Sequence, residues 1–299
     1  MFPLLSFTVL ALCATASAIS LPRTDAVHLA VSPQCGTLSG GVPADVNAGL
    51  SLSTYKTIVA FGGNFCSRSV VVQLNHAYTD SYTGGGTTNG PTWVENLANS
   101  VGAQLINHAV SWNHSRATSK VTVCKSLFQR TELDGRISVT AAYGNIPDPA
   151  TTLYVIFFGI GSSPISAKNI LVRASQLKCP RQSNICRLQI VDNYGLGKTN
   201  PIGDAFKQDV FASLGTGHSR YGWNVGFASF NSIWNGVLYG SPGYEAFGYT
   251  NPGVCVQGNT QCSDPDHTFY WAPGNPSAAT HSIMATYITE VLSKCVSST

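Results

Sequence analysis

The loop after the first apolar run has the form of a nucleophile loop without the nucleophile. Residues Thr57–Phe61 are apolar and rich in β-forming types, the pattern of a buried parallel strand. Gly62 and Gly63 then allow a sharp turn at the end of the strand, where open α/β sheets bind ligands. An enzyme of acyl transfer places serine next, and this chain has Asn64. Because an amide is a poor nucleophile, the loop argues against ordinary ester hydrolysis.

Two other groups could replace the missing nucleophile or base, and a structural explanation is better for each. Cys66 lies just beyond the loop, and the cysteine count favours a half-cystine. Asp266 and His267 adjoin in sequence, but the Asp-Pro-Asp run before the histidine is typical of a turn. Four further imidazoles are scattered and lack metal-ligand spacing, and we predict neither a metal nor a cofactor. They are His76, His108, His114 and His218.

The elements that position this loop alternate between strand and helix patterns. Five apolar runs predict strands: Thr57–Phe61, Gln104–Val110, Leu153–Phe158, Arg187–Val191 and Trp223–Phe227. Five stretches carry apolar residues at helical spacing: one that begins at Pro91 and continues to Val101, then Ala167–Leu177, Ile202–Leu214, Phe230–Leu238, and one from the N-cap Ser277 to Leu292. This alternation predicts a three-layer α/β/α sandwich with a mainly parallel five-stranded sheet and a crevice at the carboxyl ends of the strands.

Composition predicts one domain and excludes a nucleic-acid partner. No linker or repeat divides residues 19–299, and residues 19–50 read as a loosely ordered lead-in. The net charge is +3, and charged residues make up 10% of the chain, against roughly a quarter in ordinary globular proteins. No basic stripe is present to contact a phosphate backbone.

The first 18 residues read as a secretory signal peptide. Leu4–Ala14 is largely apolar, and Ala16-Ser17-Ala18 supplies a small-residue cleavage pattern. The apolar run is too short for a membrane span, so we predict a secreted, extracellular protein without a transmembrane segment. Asn113 begins a sequon, Asn-His-Ser, and is a predicted glycosylation site.

The cysteines agree with an oxidising compartment. Of the 9 cysteines, Cys13 lies in the predicted signal, and the even remainder allows up to four disulfides. The two pairs predicted from their short polar loops are Cys179 with Cys186 and Cys255 with Cys262. The pairing of the other four is left open: Cys35, Cys66, Cys124 and Cys295.

The order of motifs resembles the SGNH/GDSL hydrolase family, in particular its secreted fungal esterase-like branch. FGGNFCS stands where the family has FGDSYTD, and GGTTNGPTWVENLA (Gly85–Ala98) is similar to its NGPxWVxxLA stretch. DPATTLYVIFFGIGSS (Asp148–Ser163) occupies the place of its TTLYVVWIGxND strand. Asn251–His281 resembles its terminal cysteine loop, DPDxYxFWD and HPTxxxH. The resemblance covers about Thr57 to Leu292 and implies an SGNH hydrolase-like, flavodoxin-like fold.

The same resemblance implies that the catalytic residues are replaced. Asn64, after Gly63, stands for the nucleophilic serine, and Ala272 and Asn275 stand for the aspartate and histidine that supply the base. The oxyanion donors of the second and third motifs correspond to Ser111 or Trp112 and to Gly161-Ser162. Only His281 survives, and by resemblance it is a structural histidine. Removal of a single triad member costs on the order of 10⁴ to 10⁶ in turnover in studied hydrolases.

Three functions remain open at this point. The leading hypothesis is a pseudoenzyme that binds cell-wall polysaccharide or an acylated small molecule, because amides and hydroxyls beside aromatic rings suit sugars. The pocket candidates are Gly63, Asn64, Ser111, Trp112, Gly161, Ser162, Ala272 and Asn275. The alternatives are a secreted carbohydrate or lipid ester hydrolase or acyltransferase with a non-standard site, and a structural or developmental secreted protein. The sequence does not fix an oligomeric state.

Overall fold

A six-stranded, largely parallel sheet forms the centre of the molecule. The computed structural model describes residues 26–38, 44–62, 88–107, 148, 150–157, 187–193, 195–199 and 201–297. The strands are β1 (Val46–Ala48), β2 (Thr57–Gly62), β3 (Gln104–Asn107), β4 (Thr152–Phe157), β5 (Arg187–Asp192) and β6 (Asn224–Ser229). Their order in the sheet is β1-β6-β5-β4-β2-β3. Strands β2 to β6 run parallel, and β1 pairs antiparallel with β6.

The five predicted strands are present, and the sixth was not predicted. The predicted strand Gln104–Val110 is described as far as Asn107, and that at Trp223 begins one residue later. Strand β1 lies within residues 19–50, so the prediction of a loosely ordered lead-in is wrong for that part. The strand has only three residues with Asn47 in the middle, and so shows no apolar run.

Four helices are described. They are α1 (Trp93–Val101), α2 (Pro201–Tyr221), α3 (Asn231–Leu238) and α4 (Ala278–Lys294). The predicted helix at Ala167–Leu177 lies outside the described residues. Pro91 was expected in the first turn of α1, but Thr92 is the N-cap and forms a capping box with Glu95. Ser277 is confirmed as the N-cap of α4, where its hydroxyl accepts a hydrogen bond from the Thr280 N–H (3.2 Å).

The two faces of the sheet bury two separate hydrophobic clusters. Along β2, Ile58 and Ala60 join the cluster that contains α1, α3 and α4, whereas Val59 and Phe61 join the cluster that contains α2. This alternation follows from the two-residue period of a strand and explains why β2 is apolar on both faces. Ile202 was expected on the core face of α2, but it is 50% exposed.

A small second sheet and two disulfides complete the fold. Strands β7 (Asn251–Val254), β10 (Thr268–Ala272) and β11 (Asn275–Pro276) form a sheet in the order β11-β10-β7, beside the hairpin of β8 (Val256–Gln257) and β9 (Thr260–Gln261). The predicted Cys255–Cys262 bond is confirmed; we call it the hairpin disulfide. Cys35 bonds Cys295, and we call this the terminal disulfide. The other cysteines of the predicted mature chain lie outside the described residues: Cys66, Cys124, Cys179 and Cys186. None of the described helices has the length and apolar character needed to cross a membrane.

Candidate functional site

The strand order marks one edge of the sheet as the place for a crevice. The parallel strands lie in the order β3-β2-β4-β5-β6. Counted among themselves along the chain, they have the order 2-1-3-4-5, and the direction of the chain across the sheet reverses between β2 and β4. Chains that leave neighbouring strands in opposite directions open a crevice at the carboxyl ends. Here those ends are Gly62 and Phe157, which lie opposite each other in the register. The crevice is therefore expected beyond these strand ends, at the carboxyl edge of the sheet.

Most of the predicted pocket residues are outside the described residues. They are Gly63, Asn64, Ser111, Trp112, Gly161 and Ser162, together with the sequon residue Asn113. The described part of this edge includes the ends of β2, β4, β5 and β6 and the start of α1, where Trp93 contacts Phe157. Of the predicted pocket, Ala272 and Asn275 are described.

The structure brings Ala272 and Asn275 together as directly paired residues. They face each other across the antiparallel pair of β10 and β11, and the intervening turn is Pro273-Gly274. Gly274 has φ +72°, a conformation that favours glycine. The Asn275 Nδ2 donates a hydrogen bond to the Pro273 carbonyl (3.2 Å). Neither side chain has a basic atom that could accept a proton from a nucleophile, so this hairpin supplies no general base.

His281 serves the packing of two helix N-termini. It is buried, and its Nδ1 accepts a hydrogen bond from the Trp93 N–H at the start of α1 (3.2 Å). In the reverse direction, Asn89 Oδ1, just before α1, accepts from the Ala278 N–H at the start of α4 (2.7 Å). The two helices thus cap each other and satisfy N–H groups that a helix leaves free. An acceptor Nδ1 requires the proton on Nε2, so this imidazole is neutral.

The histidine of the Asp-Pro-Asp segment pairs with a different aspartate from the one considered above. The ring Nδ1 of His267 lies 2.9 Å from Asp264 Oδ1, and Asp266 is not its partner. This hydrogen bond lowers the pKa of Asp264 below its ordinary value. The contact spans a short 3-10 helix, Pro265–His267, so it stabilises the predicted turn.

A buried carboxyl that the sequence did not reveal lies at the same edge of the sheet. Asp45 precedes β1; its Oδ1 accepts from the Ser229 N–H (2.6 Å) and its Oδ2 from the Gln34 N–H (3.2 Å). The Tyr287 hydroxyl also donates to Oδ2. Burial raises the Asp45 pKa to about 6 despite these donors. Burial and the neighbouring carboxylate also raise the pKa of Tyr287. This contact ties the segment before β1 to β6 and α4.

The described residues contain no group of three or more His, Cys, Asp or Glu side chains placed to hold a metal ion. No protein-family model matches the chain, and no curated protein matches it.

Proposed function

We propose that this chain is a secreted protein of SGNH hydrolase-like fold whose crevice binds a carbohydrate or an acylated ligand without cleaving it. The proposed architecture is a single-domain, three-layer α/β/α sandwich of the flavodoxin-like type. The strand order 2-1-3-4-5 and the two hydrophobic clusters on opposite faces of the sheet support it. The two described disulfides suit an extracellular protein.

One observation carries the non-catalytic part of the proposal. Ala272 and Asn275 face each other across a tight turn, at the two positions where the resembling family has its aspartate and its basic histidine. The nearest surviving imidazole of that motif, His281, is buried and accepts a helix N–H. With asparagine also at position 64, the positions that correspond to the family's nucleophile and base hold side chains that can serve as neither.

Ester hydrolysis is the first test. The purified, disulfide-intact protein is assayed on p-nitrophenyl acetate and acetylated xylan and treated with a fluorophosphonate probe. We expect turnover equal to buffer and no label. The variants are Asn64→Ala and, as a control, Asn259→Ala in the exposed turn of the β8–β9 hairpin. Turnover that disappears with Asn64→Ala and persists with Asn259→Ala overturns the proposal.

Binding is the second test. Retention is measured on insoluble xylan, cellulose and chitin and on immobilised acyl chains. We expect retention on at least one matrix, loss with Asn64→Ala, and no change with Asn259→Ala. Absence of retention on every matrix argues against a ligand-binding role and favours a structural one.

A further inference from the structure

Asn193 has a buried amide without a hydrogen-bonding partner among the described residues. The residue is 0% exposed, and neither its Nδ2 nor its Oδ1 makes a hydrogen bond there. Buried polar side chains are nearly always paired, because leaving water without a replacement partner is unfavourable. An amide with both a free donor and a free acceptor therefore needs an explanation.

The backbone around Asn193 is firmly held, so a loosely placed loop does not explain the amide. The Phe230 N–H donates to the carbonyl of the preceding residue, Asp192 (2.8 Å). The Asn193 carbonyl accepts from the Leu196 N–H in a tight turn (3.2 Å). The Gly197 N–H then donates to Asn231 Oδ1 at the start of α3 (2.7 Å). The amide is thus fixed at the carboxyl end of β5.

Further buried polar atoms without a described partner lie at the same edge. Trp93 begins α1, which leads back from the carboxyl edge to β3, and its Nε1 has no described partner. The same is true of Thr88 Oγ1, just before this helix. The Trp93 ring packs edge-on against Phe157 (5.9 Å between centroids) and Phe230 (5.6 Å). Phe157 ends β4 and Phe230 directly follows β6, and these two strands flank β5, the strand that Asn193 follows.

Resting on the proposed function, we infer that Asn193 forms the buried end of the binding crevice and that its amide hydrogen-bonds to hydroxyl groups of a neutral sugar. A sugar hydroxyl donates and accepts at once, which matches an amide that offers one atom of each kind. The Trp93 indole N–H adds a donor, and the Thr88 hydroxyl adds a group that can both donate and accept. The aromatic rings supply the apolar wall that ligand sites combine with a few fixed polar atoms. An anion would use only the donors and leave Oδ1 without a partner.

The chain contains a matched control for this inference. Asn47 is 2% exposed and is also an asparagine at the sheet, but its amide is fully used. Its Nδ2 donates to the Leu50 carbonyl (2.9 Å) and the Leu292 carbonyl (2.6 Å), and its Oδ1 accepts from the Leu50 N–H (2.8 Å). Replacing either asparagine by alanine removes the same atoms from a buried position. Only Asn47→Ala leaves protein groups without their partner.

The experiment measures thermal stability and sugar binding of the full chain with both variants. We expect Asn47→Ala to lower Tm by roughly 5 °C or more and Asn193→Ala to change it by less than about 2 °C. Titration uses xylohexaose, cellohexaose and chitohexaose. We expect the unaltered protein to bind at least one of them, and Asn193→Ala to bind it at least about tenfold more weakly.

Three other outcomes would each overturn one of these statements. A fall in Tm with Asn193→Ala as large as that with Asn47→Ala shows that the amide is already paired in the free protein, by water or by protein. Undiminished binding by Asn193→Ala overturns the inference and leaves the proposed function standing. If the unaltered protein binds none of the three sugars, the carbohydrate form of the proposed function fails and the inference fails with it.

Discussion

Asp45 should make the protein less stable as the pH rises from about 4 to about 6. Burial raises its pKa in the folded state to about 6, against an ordinary value of 3.8. Between these values the folded protein holds a proton that the unfolded chain has released. The free energy of unfolding falls with rising pH wherever the folded state binds more protons. The contribution of Asp45 is therefore greatest below pH 4 and is lost by about pH 6.

The size of the effect follows from the same two pKa values. At about 1.4 kcal/mol per pKa unit, the difference corresponds to a loss of about 3 kcal/mol across this pH range. The groups around the carboxyl oppose the shift without cancelling it. They are the N–H groups of Gln34 and Ser229, the Tyr287 hydroxyl and the charge of Lys207 on α2. A single buried carboxyl thus contributes an amount comparable with a large fraction of a domain's net stability.

The assay is urea unfolding of the disulfide-intact protein at pH 4, 5, 6 and 7. Asp45→Asn keeps the shape of the side chain and removes its titration, so the difference in stability between the unaltered protein and the variant should fall with pH. Asp209→Asn, at an exposed position on α2, is the control and should leave the pH dependence unchanged. A difference between the unaltered protein and Asp45→Asn that stays constant or rises from pH 4 to 6 refutes the reasoning.

Three other substitutions test the contacts that hold the fold. His281→Ala leaves the first N–H of α1 unpaired and should lower the free energy of unfolding in urea by about 1–3 kcal/mol. His281→Asn should recover part of this loss. Equal stabilities of the unaltered protein and His281→Ala would contradict this. Removing the terminal disulfide by Cys35→Ser with Cys295→Ser should cost about 5.5 kcal/mol by loop-closure entropy, and removing the hairpin disulfide should cost about 2.5 kcal/mol. A larger loss of stability from removing the hairpin disulfide would count against this account. Gly217→Ala places a Cβ in steric overlap with the Trp223 ring and should lower Tm despite the higher helix propensity of alanine. An unchanged Tm would show that the contact relaxes freely.

The sequence predicts those parts of the fold whose signal is local. Strands β2 and β4 are apolar on both faces, and α4 combines the N-cap Ser277 with a regular apolar stripe. The hairpin disulfide closes a separation of only 7 residues and could be predicted from its loop. The terminal disulfide has a separation of 260, and nothing near either cysteine indicates the other.

The parts that could not be predicted depend on contacts between distant residues. Strand β1 has three residues, and Asn47 at its centre bonds to a carbonyl of α4 that lies 245 residues later. Asp45 resembles any polar residue of a lead-in segment, and its partner Tyr287 lies 242 residues away. At Asn193 the informative property is a buried side-chain amide with no hydrogen-bond partner among the described residues, which no sequence pattern reveals. Ala272 and Asn275, by contrast, have a spacing of only three residues in the sequence, and a tight turn pairs them.

That spacing allows a direct test of the correspondence with an acid–base pair. Directly paired residues of antiparallel strands have Cβ atoms about 4.5–5.5 Å apart on the same face. Ala272→Asp combined with Asn275→His should therefore place a carboxylate within reach of an imidazole. The carboxylate favours the charged imidazole, so the imidazole pKa, followed by NMR, should be higher in the double variant than in Asn275→His alone. Ala272→Asn with Asn275→His is the neutral control and should show no such rise. Equal pKa values in all three variants would mean that the hairpin does not hold these positions in the geometry of an acid–base pair.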